Sequence, residues 1–86
     1  MAYKTIRFSG HAFQQLKFRG VSEKEVIETI HSGKWLSTGE DRMECKKDFI
    51  FNSSWQGKYY HTKQVRPIFT EENLEIVVVT VYSYYF

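Results

Sequence analysis

Eighty-six residues make one domain, expected to be a single α+β unit over 1–86, and such a chain buries only about 60–65% of its unfolded surface. Seven Phe, six Tyr and two Trp therefore carry an outsized share of any core, at roughly 150–250 Å² each. Cys45 is the one cysteine, which excludes an internal disulfide framework and a Cys-rich zinc site, and points to a reducing cytoplasm.

The longest purely apolar run, Ile76 to Val79, is too short to span a bilayer, and MAYKTIRFSG lacks the apolar stretch of a signal peptide. The expectation is a soluble cytoplasmic protein with no membrane partner. Charge is unevenly spread. Residues 1–66 hold all 12 basic residues and seven of the acids, a balance of +5, whereas the last 20 residues hold three acids and no base. A basic body suits a phosphate-bearing partner, although an ordinary solvated surface looks the same.

In chain order, residues 3–8 read as a short extended entry. Ser9 offers a helix cap, Ala12, Phe13 and Leu16 form a narrow apolar stripe to about Phe18, and Gly20 sits where a glycine stops a helix. Ser22-Glu23-Lys24-Glu25 is a capping box for a second helix, with Val26, Ile27 and Ile30 on its buried face and Gly33 at its end. From Trp35 the period becomes extended. A weak strand is placed near 34–37, and three strands at 42–51, 58–69 and 75–85 form a meander, linked by residues 52–57 and 70–74.

Pro67 donates no amide, so its strand is expected to bulge or lie at an edge there. The final strand is β-branched on both sides. Regular alternation puts Ile76, Val78, Thr80 and Tyr82 on one face and Val77, Val79 and Val81 on the other, as in a central strand covered on both faces.

No phosphate-cradling glycine loop, GxSxG elbow or HExxH motif is present, and His11, His31 and His61 are too far apart in sequence for a metal motif. No metal and no cofactor are expected. His11, in the first turn of helix one, is a candidate neutral base because the helix dipole disfavours imidazolium there; it equally suits a capping or packing role. Arg19 can clamp a phosphate or simply bond the last helix carbonyls. Lys63 and Arg66 lie in KYYHTKQVR, where bases and aromatics interleave as they do on a face that stacks nucleobases, or in ordinary cross-strand packing. Thr80 breaks the valine run, and Tyr82 follows it.

Ser9-Gly10-His11-Ala12, Arg19-Gly20-Val21-Ser22 with Glu25-Val26, Gly33, and Val78-Val79-Thr80-Val81-Tyr82 together resemble domain-of-unknown-function family 4258. That family in turn looks like a relative of the RelE/BrnT toxins. The resemblance implies a RelE-like, ribonuclease-toxin-like fold of two N-terminal helices on a three- to four-stranded antiparallel sheet. It also implies bacterial origin and an antitoxin-like protein partner. The matching positions are His11, Arg19, Thr80 and Tyr82. Members often carry an arginine in helix one where this chain has Gln14, Gln15 and Leu16.

Two functions follow as expectations. One is a metal-independent RNA-binding or RNA-cleaving toxin-like domain, with His11, Arg19 and Tyr82 as catalytic residues and Lys63, Arg66 and Thr80 contacting RNA. The other is a non-enzymatic module that binds a protein or forms a homodimer through its aromatic sheet.

Overall fold

The computed structural model describes residues 4–86; the Tyr3 end of the expected entry segment lies outside the described residues. The chain runs β1 (Thr5–Phe8), α1 (Gly10–Arg19), α2 (Glu23–Ser32), β2 (Leu36–Gly39), β3 (Arg42–Glu44), β4 (Lys47–Trp55), β5 (Lys58–Glu71) and β6 (Glu75–Tyr85). Both helices start and stop on the side chains expected of them. The Ser9 hydroxyl accepts from Ala12 N at 3.1 Å, and the capping box of α2 closes through Glu25 N to Ser22 Oγ and Ser22 N to Glu25 Oε1. At the end of α1, Gly20 adopts φ 67°, and the amides of Gly20 and Val21 turn back to the carbonyls of Lys17 and Leu16. This pattern is a Schellman motif.

The expected sheet needs correction. It is six-stranded and mixed, in the order β1-β6-β5-β3-β2 with β4 also on β5, not three- to four-stranded and antiparallel, and a RelE-like architecture is not supported. Three local causes account for the difference. First, β1 pairs parallel to β6, Ile6 opposite Ile76, which adds a strand no meander contains. Second, Glu40 and Asp41 take positive φ and make a two-residue turn that joins β2 and β3 into a hairpin.

Third, the expected strand over 42–51 is split. Glu44 lies opposite Ile68 and Lys47 opposite Val65, so β3 and β4 share one register on β5 and the gap at Cys45 and Lys46 faces Pro67 and Arg66. Proline has no amide to donate, and the ladder lapses there. The link expected at 52–57 contracts to Gln56-Gly57, both at positive φ, because β4 runs on to Trp55.

The helices pack on one face of the sheet. Ala12, Leu16, Val21, Val26 and Ile30 meet Val65, Phe69, Ile76, Val78 and Val81 in the core. The expected alternation along β6 fails at one point. Ile68 pairs with Thr80 and Phe69 with Val78, so Val79 is an extra residue in a β-bulge. Val78 and Val81 are consequently both buried under the helices although three apart, and the side chains after the bulge exchange faces. β6 is an interior strand with one covered face. No described helix or strand lies over the other.

Candidate functional site

Register places four rows across the uncovered face, written here from β4 or β3 through β5 to β6. They are Ile50–Thr62–Phe86, Asp48–Gln64–Tyr84, Lys46–Arg66–Tyr82 and Glu44–Ile68–Thr80. The third row carries the chemistry. The Arg66 guanidinium carbon lies 5.1 Å from the Tyr82 ring centroid and 5.7 Å from that of Tyr84. Arg19, arriving at the end of α1 beside β6, puts its own guanidinium carbon 5.4 Å from the same Tyr82 ring. Tyr82 is thus contacted by two cations, each at cation–π distance. The bulge at Val79 is what brings Tyr82 here, since regular alternation from Val78 would have sent it under the helices.

α1 is held against β6 by side chains that satisfy its last carbonyls and the strand's free edge. Arg19 O accepts from Ser83 Oγ at 2.8 Å and from Tyr85 OH at 2.7 Å, while Gln15 Oε1 accepts from Val81 N at 3.1 Å and from Thr80 Oγ1 at 2.7 Å. Beyond Phe8, where β1 ends, Gln15 thus supplies the bond that a neighbouring strand would give. Burial raises the pKa of the Tyr85 hydroxyl, in keeping with its place as a donor under the ring of Trp55.

The six residues singled out from the sequence separate into groups. Arg19, Arg66 and Tyr82 come together as described. Lys63 lies on the opposite, helix-covered face, 7% exposed, where its ammonium donates to Gly20 O at 2.9 Å and to Glu25 Oε1 at 2.9 Å. Thr80 is engaged by Gln15 at the edge of β6. His11 is exposed in the first turn of α1, eight residues and about 12 Å of helix rise from Arg19, with no bond to Arg19, Tyr82 or Arg66.

Two residues that sequence reading left out join the cluster. Tyr84 shares a face with Tyr82, and Lys46 stands opposite Arg66; neither is visible until the bulge and the shared register of β3 and β4 are known. Glu44 completes the surroundings, its Oε1 3.8 Å from Arg66 Nε.

Among the described residues no group of three or more His, Cys, Asp or Glu is placed to hold a metal ion, and no helix is long and apolar enough to cross a membrane. Cys45 is buried, its Sγ donating to Thr29 O at 3.4 Å, and burial, with a smaller contribution from Glu44, pushes the thiol up to about 12. Such a thiol is no nucleophile near neutrality. The site's chemistry is cationic and aromatic.

Residues 8–83 match the family model described as Domain of unknown function (DUF4258). The chain belongs to the DUF4258 family. The match takes in both α1 and β6, so the Arg19–Tyr82 contact and the Val79 bulge lie inside the DUF4258 region. No curated protein and no solved structure matches the chain.

Proposed function

We propose that this DUF4258 domain binds single-stranded RNA across the uncovered face of its sheet. The observation that carries the reading is Tyr82 at cation–π distance from the guanidiniums of both Arg19 and Arg66, with Tyr84 beside it on a face over which no described helix or strand lies. An unstacked base finds aromatic and guanidinium planes here, and the flanking cations meet the backbone phosphates. The chemistry of the cluster favours binding over cleavage. General acid–base catalysis needs a proton acceptor within about 3 Å of the reacting hydroxyl, and the histidine proposed for that task, His11, is not among the groups around Tyr82.

Fluorescence anisotropy with a labelled RNA dodecamer tests the proposal. Arg19→Gln and Arg66→Gln should each weaken binding and reduce the slope of log K against log salt by about 0.7, the value for one phosphate contact on a single strand. Tyr82→Leu should weaken binding by about 5- to 100-fold, the range for loss of one stacked base, with the salt slope unchanged. Wild-type protein that binds no RNA at 50 mM salt would sink the reading.

A homodimer through the same face is the second reading, supported by the exposure of Ile50 at 82% and Phe86 at 58% at its far end. Light scattering that finds a dimer broken by Ile50→Lys would favour it over RNA binding.

A further inference from the structure

Beside the Tyr82–Arg66 pair, the uncovered face holds a cleft of about 310 Å³ lined by Lys34, Leu36, Glu44, Cys45, Lys46 and Arg66. Arg66 belongs to both places. Its guanidinium lies at cation–π distance from Tyr82 and Tyr84, and its side chain lines the cleft. Among the described residues that Nε is the one buried side-chain nitrogen or oxygen without a hydrogen bond. Glu44 is its nearest carboxylate, at 3.8 Å, too far to accept. A buried N–H left unpaired in this way is costly, and a small turn of the Arg66 side chain towards a ligand oxygen in the cleft would satisfy it.

We propose that this cleft holds a phosphate monoester dianion, the terminal phosphate of the RNA strand whose bases lie on Tyr82 and Tyr84. The inference rests on the RNA-binding reading for the identity of the strand, and on the cleft alone for the phosphate. Three features of the cleft select the ligand. Lys34, Lys46 and Arg66 against Glu44 leave two positive charges, which matches a monoester dianion better than the single charge of an internal diester.

The volume lies at the lower limit of small-molecule pockets, about 300–1,000 Å³, and is enough for a phosphate with its sugar. Arg66 offers N–H donors in a fixed fork that suits phosphate oxygens, with the two ammonium groups beside it as point charges. A single guanidinium that stacks on the tyrosines and donates into the cleft ties the end of a strand to its neighbouring bases.

The test uses the full chain and one RNA sequence made with a 5′-phosphate, a 3′-phosphate or hydroxyls at both ends, together with inorganic phosphate alone followed by amide chemical shifts. One phosphorylated end should bind about tenfold more tightly than the hydroxyl form, a typical gain for charge-assisted hydrogen bonds. Lys34→Gln should erase that preference while leaving affinity for the hydroxyl RNA within about twofold, Lys46→Gln should erase it and also weaken the hydroxyl RNA, and Lys24→Gln, on the outside of α2, should change neither. Which end is preferred identifies the polarity of the strand. Equal affinity for all three RNAs, with no shift of the Lys34 or Lys46 amides by inorganic phosphate, would overturn the cleft and leave RNA binding standing. Shifts of those amides by phosphate in a protein that binds no RNA would keep the cleft and remove the RNA reading.

Discussion

Lys63 separates an account based on sequence pattern from one based on structure. In the pattern KYYHTKQVR it stands as an RNA contact; in the fold it is a buried ion pair. Lys63→Met keeps the aliphatic stem and removes the ammonium, which leaves Gly20 O and the Glu25 carboxylate without their closest donor. Breaking a fully buried pair costs about 3–5 kcal/mol. The Glu25 side chain is 24% exposed and keeps its bond from Ser22 N, so water and the capping box recover part of that loss.

The expected destabilisation is about 2–3 kcal/mol, against a total of about 4–13 kcal/mol for a chain of this length. Thermal unfolding followed by circular dichroism should show the midpoint fall by about 10–20 °C. Lys4→Met, which breaks the exposed Lys4–Glu71 pair, is the comparison and should cost no more than about 1 kcal/mol. RNA affinity of the folded Lys63 variant should stay within about twofold of wild type, with an unchanged salt slope. A variant as stable as wild type that has lost RNA binding would refute the reasoning.

Two further predictions concern Gly20 and Cys45. Gly20 combines φ 67° with a close approach in which an added Cβ would lie 2.5 Å from Tyr85 OH and 2.6 Å from the Trp55 ring, so Gly20→Ala should cost about 2–4 kcal/mol in urea unfolding and loosen the end of α1. Cys45 holds its proton more tightly folded than unfolded. Its contribution is therefore complete below pH 9 and is lost as pH rises from 9 towards 12. A thiol reagent at pH 8 should leave the native protein unmodified and label it in urea, and Cys45→Ala should flatten the alkaline decline; equal labelling in both states contradicts this.

Legibility from sequence followed how local each cause was. Ser9, Ser22 with Glu25, and Gly20 act within four or five residues, and both helices appear where those signals place them. Residues 3–8 read as extended, but the parallel pairing of β1 with β6 was not legible, because Ile6 and Ile76 meet only after the 69 residues between them have folded. Pro67 announced an irregular ladder, yet the interruption falls on its neighbour, the Cys45–Lys46 gap between β3 and β4. The site was half visible for a similar reason. Arg19, Arg66 and Tyr82 stood out by residue type, whereas the face that Tyr82 occupies depends on a one-residue bulge at Val79. A bulge of that kind in a run of valines leaves no mark in the pattern, and a single residue of slip inverts every later side chain. Lys63 and Arg66 look equivalent in sequence and end on opposite faces.

RNA binding is proposed for the uncovered sheet face around Tyr82, Arg19 and Arg66. Titration of isotope-labelled protein with a single-stranded RNA dodecamer, followed by amide and tyrosine-ring chemical shifts, tests it most directly. Shifts are expected at Tyr82, Tyr84, Gln64, Arg66 and Lys46, while the outer faces of α1 and α2 stay still. Shifts confined to the exposed Phe13 and Phe18 of α1 and their neighbours, or no shifts at all, would contradict it.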